Sequence, residues 1–153
     1  MKNTHRYSII ILTILIMTGP FNLYSQKHDK DIESLMTADR NFSAYSVEKG
    51  MNSAFFEFAD TSVVLLKPDM YPIKGMEALR EYHAGIDDSK LTLSWEPYFA
   101  RVSKSGDLGY TYGIWKLKAE DGNFNGTYVT IWIREKKGDW KFVLDTGNGG
   151  LGE

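Results

Sequence analysis

A chain of 153 residues, 42% hydrophobic and 14% aromatic, can bury one substantial core but not two. Its 18 basic and 20 acidic residues leave a net charge of −2 with no basic stripe, so nucleic-acid binding has no electrostatic support. With no cysteine, disulfides and thiolate metal sites are excluded, and stability must come from packing alone.

The chain opens on a basic start, Met1 to Arg6, followed by an apolar run from Tyr7 to Met17 and the breaker Gly19-Pro20. This order predicts a secretory signal peptide over residues 1–25, with Leu23 and Ser25 at the recognition positions and Gln26 as the new N-terminus. The run is too short for a permanent span, which needs roughly 20 apolar residues. No cysteine follows it to carry a lipid anchor. Export is therefore expected, to a bacterial periplasm or the exterior, with no membrane attachment after cleavage. Losing Lys2 and Arg6 would take the net charge from −2 to −4. Residues 26–153 then form a single domain.

From Asp31 to Lys49 the pattern is helical, with Ile32, Leu35, Phe42 and Ser46 on one stripe. Gly50 stops that helix, and Met51 to Phe58 reads as a second, short one. Ser62 to Leu66 is a β-branched run of the buried-strand type, and Pro68 and Pro72 confine Lys67 to Lys74 to a loop. Gly75 opens a third helix, Met76 to about Ile86.

Strands follow to the end. Leu91, Leu93 and Trp95 alternate on one phase, whereas Tyr98, Ala100 and Val102 hold the other, so a β-bulge is predicted at Glu96-Pro97. Turns are predicted at Ser105-Gly106-Asp107, over Asp121 to Gly126, and at Lys137-Gly138-Asp139. Helices first and long strands afterwards imply an α+β fold, with N-terminal helices packed in a strongly curved antiparallel sheet. In the central strands Tyr128, Thr130 and Trp132 share one face while Val129, Ile131 and Ile133 share the other. Both faces are largely apolar. Helices on one and a second subunit on the other would account for that, so a homodimer is expected. Gly109 and Gly113 share a face of one strand, where curvature is the expected purpose.

Several pieces, in order and spacing, carry a resemblance. They are Ala38-Asp39-Arg40-Asn41-Phe42, Gly50 with Phe55-Phe56, Gly75, Trp95-Glu96-Pro97, Ser105 to Gly113, Trp132, Trp140-Lys141 and Asp145-Thr146-Gly147-Asn148. The chain from about Ile32 to Asn148 resembles the cone-shaped nuclear-transport-factor-2-like superfamily, in the SnoaL-like branch that includes domain of unknown function 4440. The resemblance implies a cone-shaped α+β barrel around a pocket whose few polar residues set its chemistry. The residues expected to wall that pocket are Phe42, Phe56, Tyr82, Trp95, Tyr112, Tyr128, Trp132 and Asn148.

Two carboxylates are candidates for chemistry. Asp39 lies on the inward stripe of the first helix, where desolvation would raise its pKa toward acid–base work; equally, it would lock the helix to the sheet. Asp145 ends the last strand, at the rim of such a cavity or as a turn-former. The resemblance to ketosteroid isomerases of the same superfamily implies a hydroxyl donor at Phe42, a base near Lys67-Pro68 and an acid near Thr130 or Ile131. None of the three is present, so that exact chemistry is not expected. His83 is the only histidine in a predicted element and is expected to face solvent or cap its helix. Neither a metal constellation nor a cofactor motif is present. The expectation is a binding module for a small, mostly apolar molecule; the alternative is an acid–base enzyme using Asp39 or Asp145.

Overall fold

The computed structural model describes residues 19–152, with side chains from Gln26 onward. The apolar run of the expected signal peptide lies outside the described residues. Helix α1 spans Gly19–Lys49 and so starts well before the expected Asp31. Pro20 falls in its first turn, where a missing N–H breaks no helical bond, and no breaker follows until Gly50. Among the described residues no helix is long and apolar enough to cross a membrane.

Gly50 has φ 92°, and a side chain there would also press on the Asp88 carboxylate, which accepts the Asn52 N–H at 2.8 Å. Helix α2 is Met51–Phe58, as predicted. Strand β1 follows at Ala59–Leu66, then the proline-bracketed loop, a two-residue strand β2 (Ile73–Lys74) and helix α3 (Gly75–Ala84). The long strands are β3 (Leu91–Val102), β4 (Leu108–Ala119), β5 (Gly122–Arg134) and β6 (Trp140–Gly149). The β4–β5 turn is tighter than predicted. Ala119 pairs with Gly122, and Asn123 to Gly126 belong to β5, opposite Lys118 to Trp115.

The sheet order is β2-β1-β6-β5-β4-β3. It is mixed rather than wholly antiparallel, because β1 runs parallel to β6 with Leu65 opposite Asp145. Those two strands lie far apart in the chain, which supplies the long crossover a parallel pair needs. The bulge in β3 falls one step later than predicted. Pairing jumps from Pro97–Gly113 to Phe99–Tyr112, leaving Tyr98 as the extra, 62% exposed residue. Leu93, Trp95 and Pro97 thus face inward before the bulge, Ala100 and Val102 after it.

Two glycines of β4 let neighbouring elements approach closely. A Cβ at Gly113 would run into the Glu96 carbonyl beside the bulge, and one at Gly109 would meet the Leu35 side chain and the Arg101 carbonyl. Both positions serve close approach, the second by seating α1 on the sheet, rather than curvature alone.

Helix α1 buries Leu35, Asp39, Phe42, Ser43 and Ser46. Phe42 is the aromatic hub: it stacks on Phe58 and Phe142 at 5.0 and 5.2 Å and meets Phe55 and Trp95 edge-on at 5.1 and 4.5 Å. Ser43 exchanges hydrogen bonds with the Trp95 backbone, donating to its carbonyl at 2.7 Å and accepting its N–H at 2.8 Å. Ser46 donates to the Leu93 carbonyl at 2.9 Å. The two serines therefore occupy backbone groups that the edge strand β3 would otherwise leave bare.

Candidate functional site

The inner face of the sheet is the one bearing Tyr128, Thr130 and Trp132; Val129 and Ile131 look outward. Between that face, α2 and the start of β3 lies a cavity of about 310 Å³. Its walls are apolar: Phe42 from α1, Met51 and Phe55 from α2, Leu91, Leu93 and Trp95 from β3, and Trp115 and Leu117 from β4. Ile86 comes from the segment after α3, and Tyr128 from β5. The Trp115 indole lies across Gly126, where any side chain would collide with its ring, and close against Gly147, where one would be tight; it donates to the Thr127 carbonyl at 3.2 Å.

The polar groups gather at one corner. Asp145 of β6 accepts the Thr130 hydroxyl on Oδ2 at 2.8 Å, and the Lys67 ammonium stands 3.9 Å from its Oδ1. Lys67 reaches this corner because β1 ends at Leu66 beside Thr146, whose hydroxyl donates to the Leu66 carbonyl at 3.1 Å. Burial pushes the Asp145 carboxyl above its ordinary range, with the Lys67 charge and the Thr130 hydrogen bond acting against that rise.

Asp39 is fully buried but is not one of the cavity-lining residues. It sits behind the wall, where Trp95 Nε1 donates to its Oδ1 at 2.7 Å and the Tyr128 hydroxyl to its Oδ2 at 2.8 Å. Thr111 is a further hydrogen-bond partner, and its hydroxyl also accepts Trp132 Nε1 at 2.9 Å. Burial raises the Asp39 pKa to about 6; the bonds from Thr111, Trp95 and Tyr128 oppose the rise and the Asp145 charge adds to it. The Tyr128 hydroxyl is held far above its usual range, by burial first and by the Asp39 charge second.

Of the expected pocket residues, Phe42, Trp95 and Tyr128 come together at the cavity, and the candidate carboxylate Asp145 joins them there. The others do not. Phe56 and Tyr82 pack against His83 at 5.6 and 5.3 Å, and the Arg80 guanidinium covers Phe56 at 4.7 Å. Trp132 is sealed in the core. Tyr112 is 47% exposed on the outer face, stacked on Phe99 at 5.4 Å, because its neighbour Gly113 takes the inward position. Asn148 is exposed at the end of β6, opposite Thr127.

His83 also departs from expectation: it is buried at 2% exposure. Its Nδ1 pairs with Asn52 Oδ1 at 2.7 Å, while Asn52 Nδ2 donates to the Ile86 carbonyl at 3.0 Å. That amide orientation puts the proton on Nδ1. Burial, then the Lys67 charge, push the His83 pKa down to about 4. Leu79 lies one turn before His83 and is fully buried, which was the available sign that position 83 faces inward. Lys67 and Trp115 were missed as site residues. The signal for the first is a lone cation ending a buried strand; for the second it is the shared phase of Gly113, Trp115 and Leu117. Among the described residues no group of three or more His, Cys, Asp or Glu side chains is placed to hold a metal ion.

No family model matches the chain, and no curated protein matches it. Solved structures do. An NTF2-like protein with a cystatin-like fold from Novosphingobium aromaticivorans aligns with a TM-score of 0.69 at 14% identity, over 90% of this chain and 94% of that one. A ketosteroid isomerase-like protein from Erwinia carotovora atroseptica aligns with a TM-score of 0.58 at 12% identity, over 76% and 96% of the two chains. A Catenulispora acidiphila protein solved in complex with S-DNPA gives 0.58 at 11%, over 76% and 91%. At such identities the likeness shows the fold alone: an α+β, NTF2-like cone with N-terminal helices packed on a six-stranded mixed sheet.

Proposed function

We propose that this chain is an exported, homodimeric binding protein of the SnoaL-like branch, whose cavity takes up a small, mostly apolar molecule. One observation carries the reading. An apolar cavity of about 310 Å³ has its polar groups confined to one corner, the arrangement that holds a hydrophobic body and fixes its orientation by one end. The S-DNPA complex of the Catenulispora acidiphila protein supports small-molecule binding by this fold. Export rests on the N-terminal sequence pattern. The dimer rests on the outer sheet face, where Phe99, Tyr110 and Tyr112 are exposed in mutual contact beside Leu108.

The binding reading is tested by filling the cavity. Leu93→Trp should abolish the uptake of an environment-sensitive apolar dye seen with the native protein, while the thermal midpoint holds. Dye uptake unchanged by Leu93→Trp would place binding elsewhere and end the proposal.

A second reading has specific support. Asp145 combines a raised pKa, a place in the cavity wall and an Oδ1 outside the Thr130 bond, which are the properties of an acid–base carboxyl. On this reading Asp145 acts on the bound molecule, and Asp39 supports the wall from behind. Turnover of an identified substrate that survives Asp145→Asn would dispose of it.

A further inference from the structure

The polar corner says what kind of molecule the cavity selects, an inference that rests on the binding reading above. Among the described residues lining the cavity, Lys67 and Asp145 are the charged ones, and they form an ion pair, Nζ to Oδ1, at 3.9 Å. The corner is thus neutral in sum but dipolar: an ammonium that donates faces a carboxylate oxygen that accepts. Thr130 occupies Oδ2, so Oδ1 is the oxygen turned to the cation. The gap is too wide for a direct hydrogen bond. A single oxygen about 2.8 Å from each atom closes it with ordinary hydrogen bonds on both sides, near a right angle at the bridging atom.

We infer that the cavity selects a hydrophobic alcohol: an uncharged apolar body with one hydroxyl, which accepts from Lys67 Nζ and donates to Asp145 Oδ1. The ion pair decides the charge. A carboxylate or an ammonium group on the ligand would leave three charges where two cancel, with the surplus set among Phe55, Leu93 and Trp115 rather than in water. The direction of the bonds decides the group. A ketone or ether accepts from Lys67 but has nothing to give Oδ1, and a hydrocarbon serves neither; each strips one or both partners of water without replacing it. A hydroxyl does both from one atom. With Thr130 on Oδ2, the ligand gives the carboxylate one hydroxyl on each oxygen. Water can make the same bridge, and the alcohol gains over it by burying its apolar body along the cavity walls.

Equilibrium dialysis of the full chain against four probes of nearly one shape tests this: naphthylethanol, acetylnaphthalene, naphthoate and isopropylnaphthalene. Naphthylethanol should bind roughly tenfold tighter than acetylnaphthalene or naphthoate, the worth of one hydrogen bond to a charged group. In Asp145→Asn the amide carbonyl keeps the Thr130 bond and the amide N–H turns toward Lys67, so the corner holds two donors beside an unpaired cation. The preference should then reverse, to acetylnaphthalene over naphthylethanol, with naphthoate rising alongside. Acetylnaphthalene equal to the alcohol in the native protein, naphthoate tighter than either, or a preference for the alcohol that survives Asp145→Asn overturns the inference. The native ranking alone decides the case where the variant does not fold. Binding of isopropylnaphthalene with no preference among the oxygen-bearing probes leaves the binding reading standing and removes this one. Failure of all four probes sinks both together.

Discussion

Asp39 and Asp145 are both buried and both held above the ordinary carboxylate range, yet their surroundings differ in kind. Around Asp39, both oxygens are taken by Trp95 and Tyr128, Thr111 is a third partner, and the wall of the cavity closes over it. Asp145 holds one hydroxyl on one oxygen, with a cation beyond bonding distance of the other and the cavity in front. The difference teaches that a raised pKa alone does not mark a working carboxyl. Free hydrogen-bonding capacity facing a cavity does.

The contrast breaks most readily through stability. Asp39→Ala strands the donors aimed at it and should cost about 3–5 kcal/mol in urea unfolding, whereas Asp145→Ala should cost about 1 kcal/mol. Equal losses would erase the distinction. The next effect is seen in pH. Asp39 binds its proton more tightly folded than unfolded, so its contribution to stability falls as pH rises from 3.8 through about 6, and the raised Asp145 acts in the same direction. His83 binds its proton less tightly folded, so its contribution rises between about 4 and 6.5. The two trends offset each other. Removing the second with His83→Gln should leave stability falling by about 3 kcal/mol from Asp39 alone across that interval, clearly more steeply than in the native protein. A native curve as steep as the variant's would mean that His83 is not buried neutral. Tyr128→Phe should cost about 1–2 kcal/mol and push the Asp39 pKa further up, read by carboxyl-detected NMR. Smallest of all, Thr130→Val should cost about 1 kcal/mol or less, while raising Asp145 alone.

Much of the fold was legible because period and punctuation are local. Gly50, Gly75 and the Ser105-Gly106-Asp107 turn mark real boundaries, and β5 alternates as its sequence does. The parallel pairing of β1 with β6 was not legible, since nothing within either segment encodes a partner some eighty residues away. At the site, Asp39 was readable as inward-facing, but whether it lines the cavity or hides behind it depends on how Trp95 and Tyr128 pack across it. Tyr112 was misplaced by one step of strand parity, which Gly113 settles once its contact with the β3 bulge is known. Lys67 is a loop residue, as expected; that it enters the site follows from β6 running beside β1, which the sequence does not encode.

The serines that hook α1 onto β3 have a consequence for how this molecule fails. A twelve-residue strand at the margin of a sheet is a template for intermolecular strand addition, and here Ser43 and Ser46 occupy backbone groups of its first half. Helix α1 is thus a guard against aggregation as well as a wall of the core. Agitation or mild heat that peels it away would seed fibril-like assembly from Leu91–Trp95 before the rest of the sheet melts.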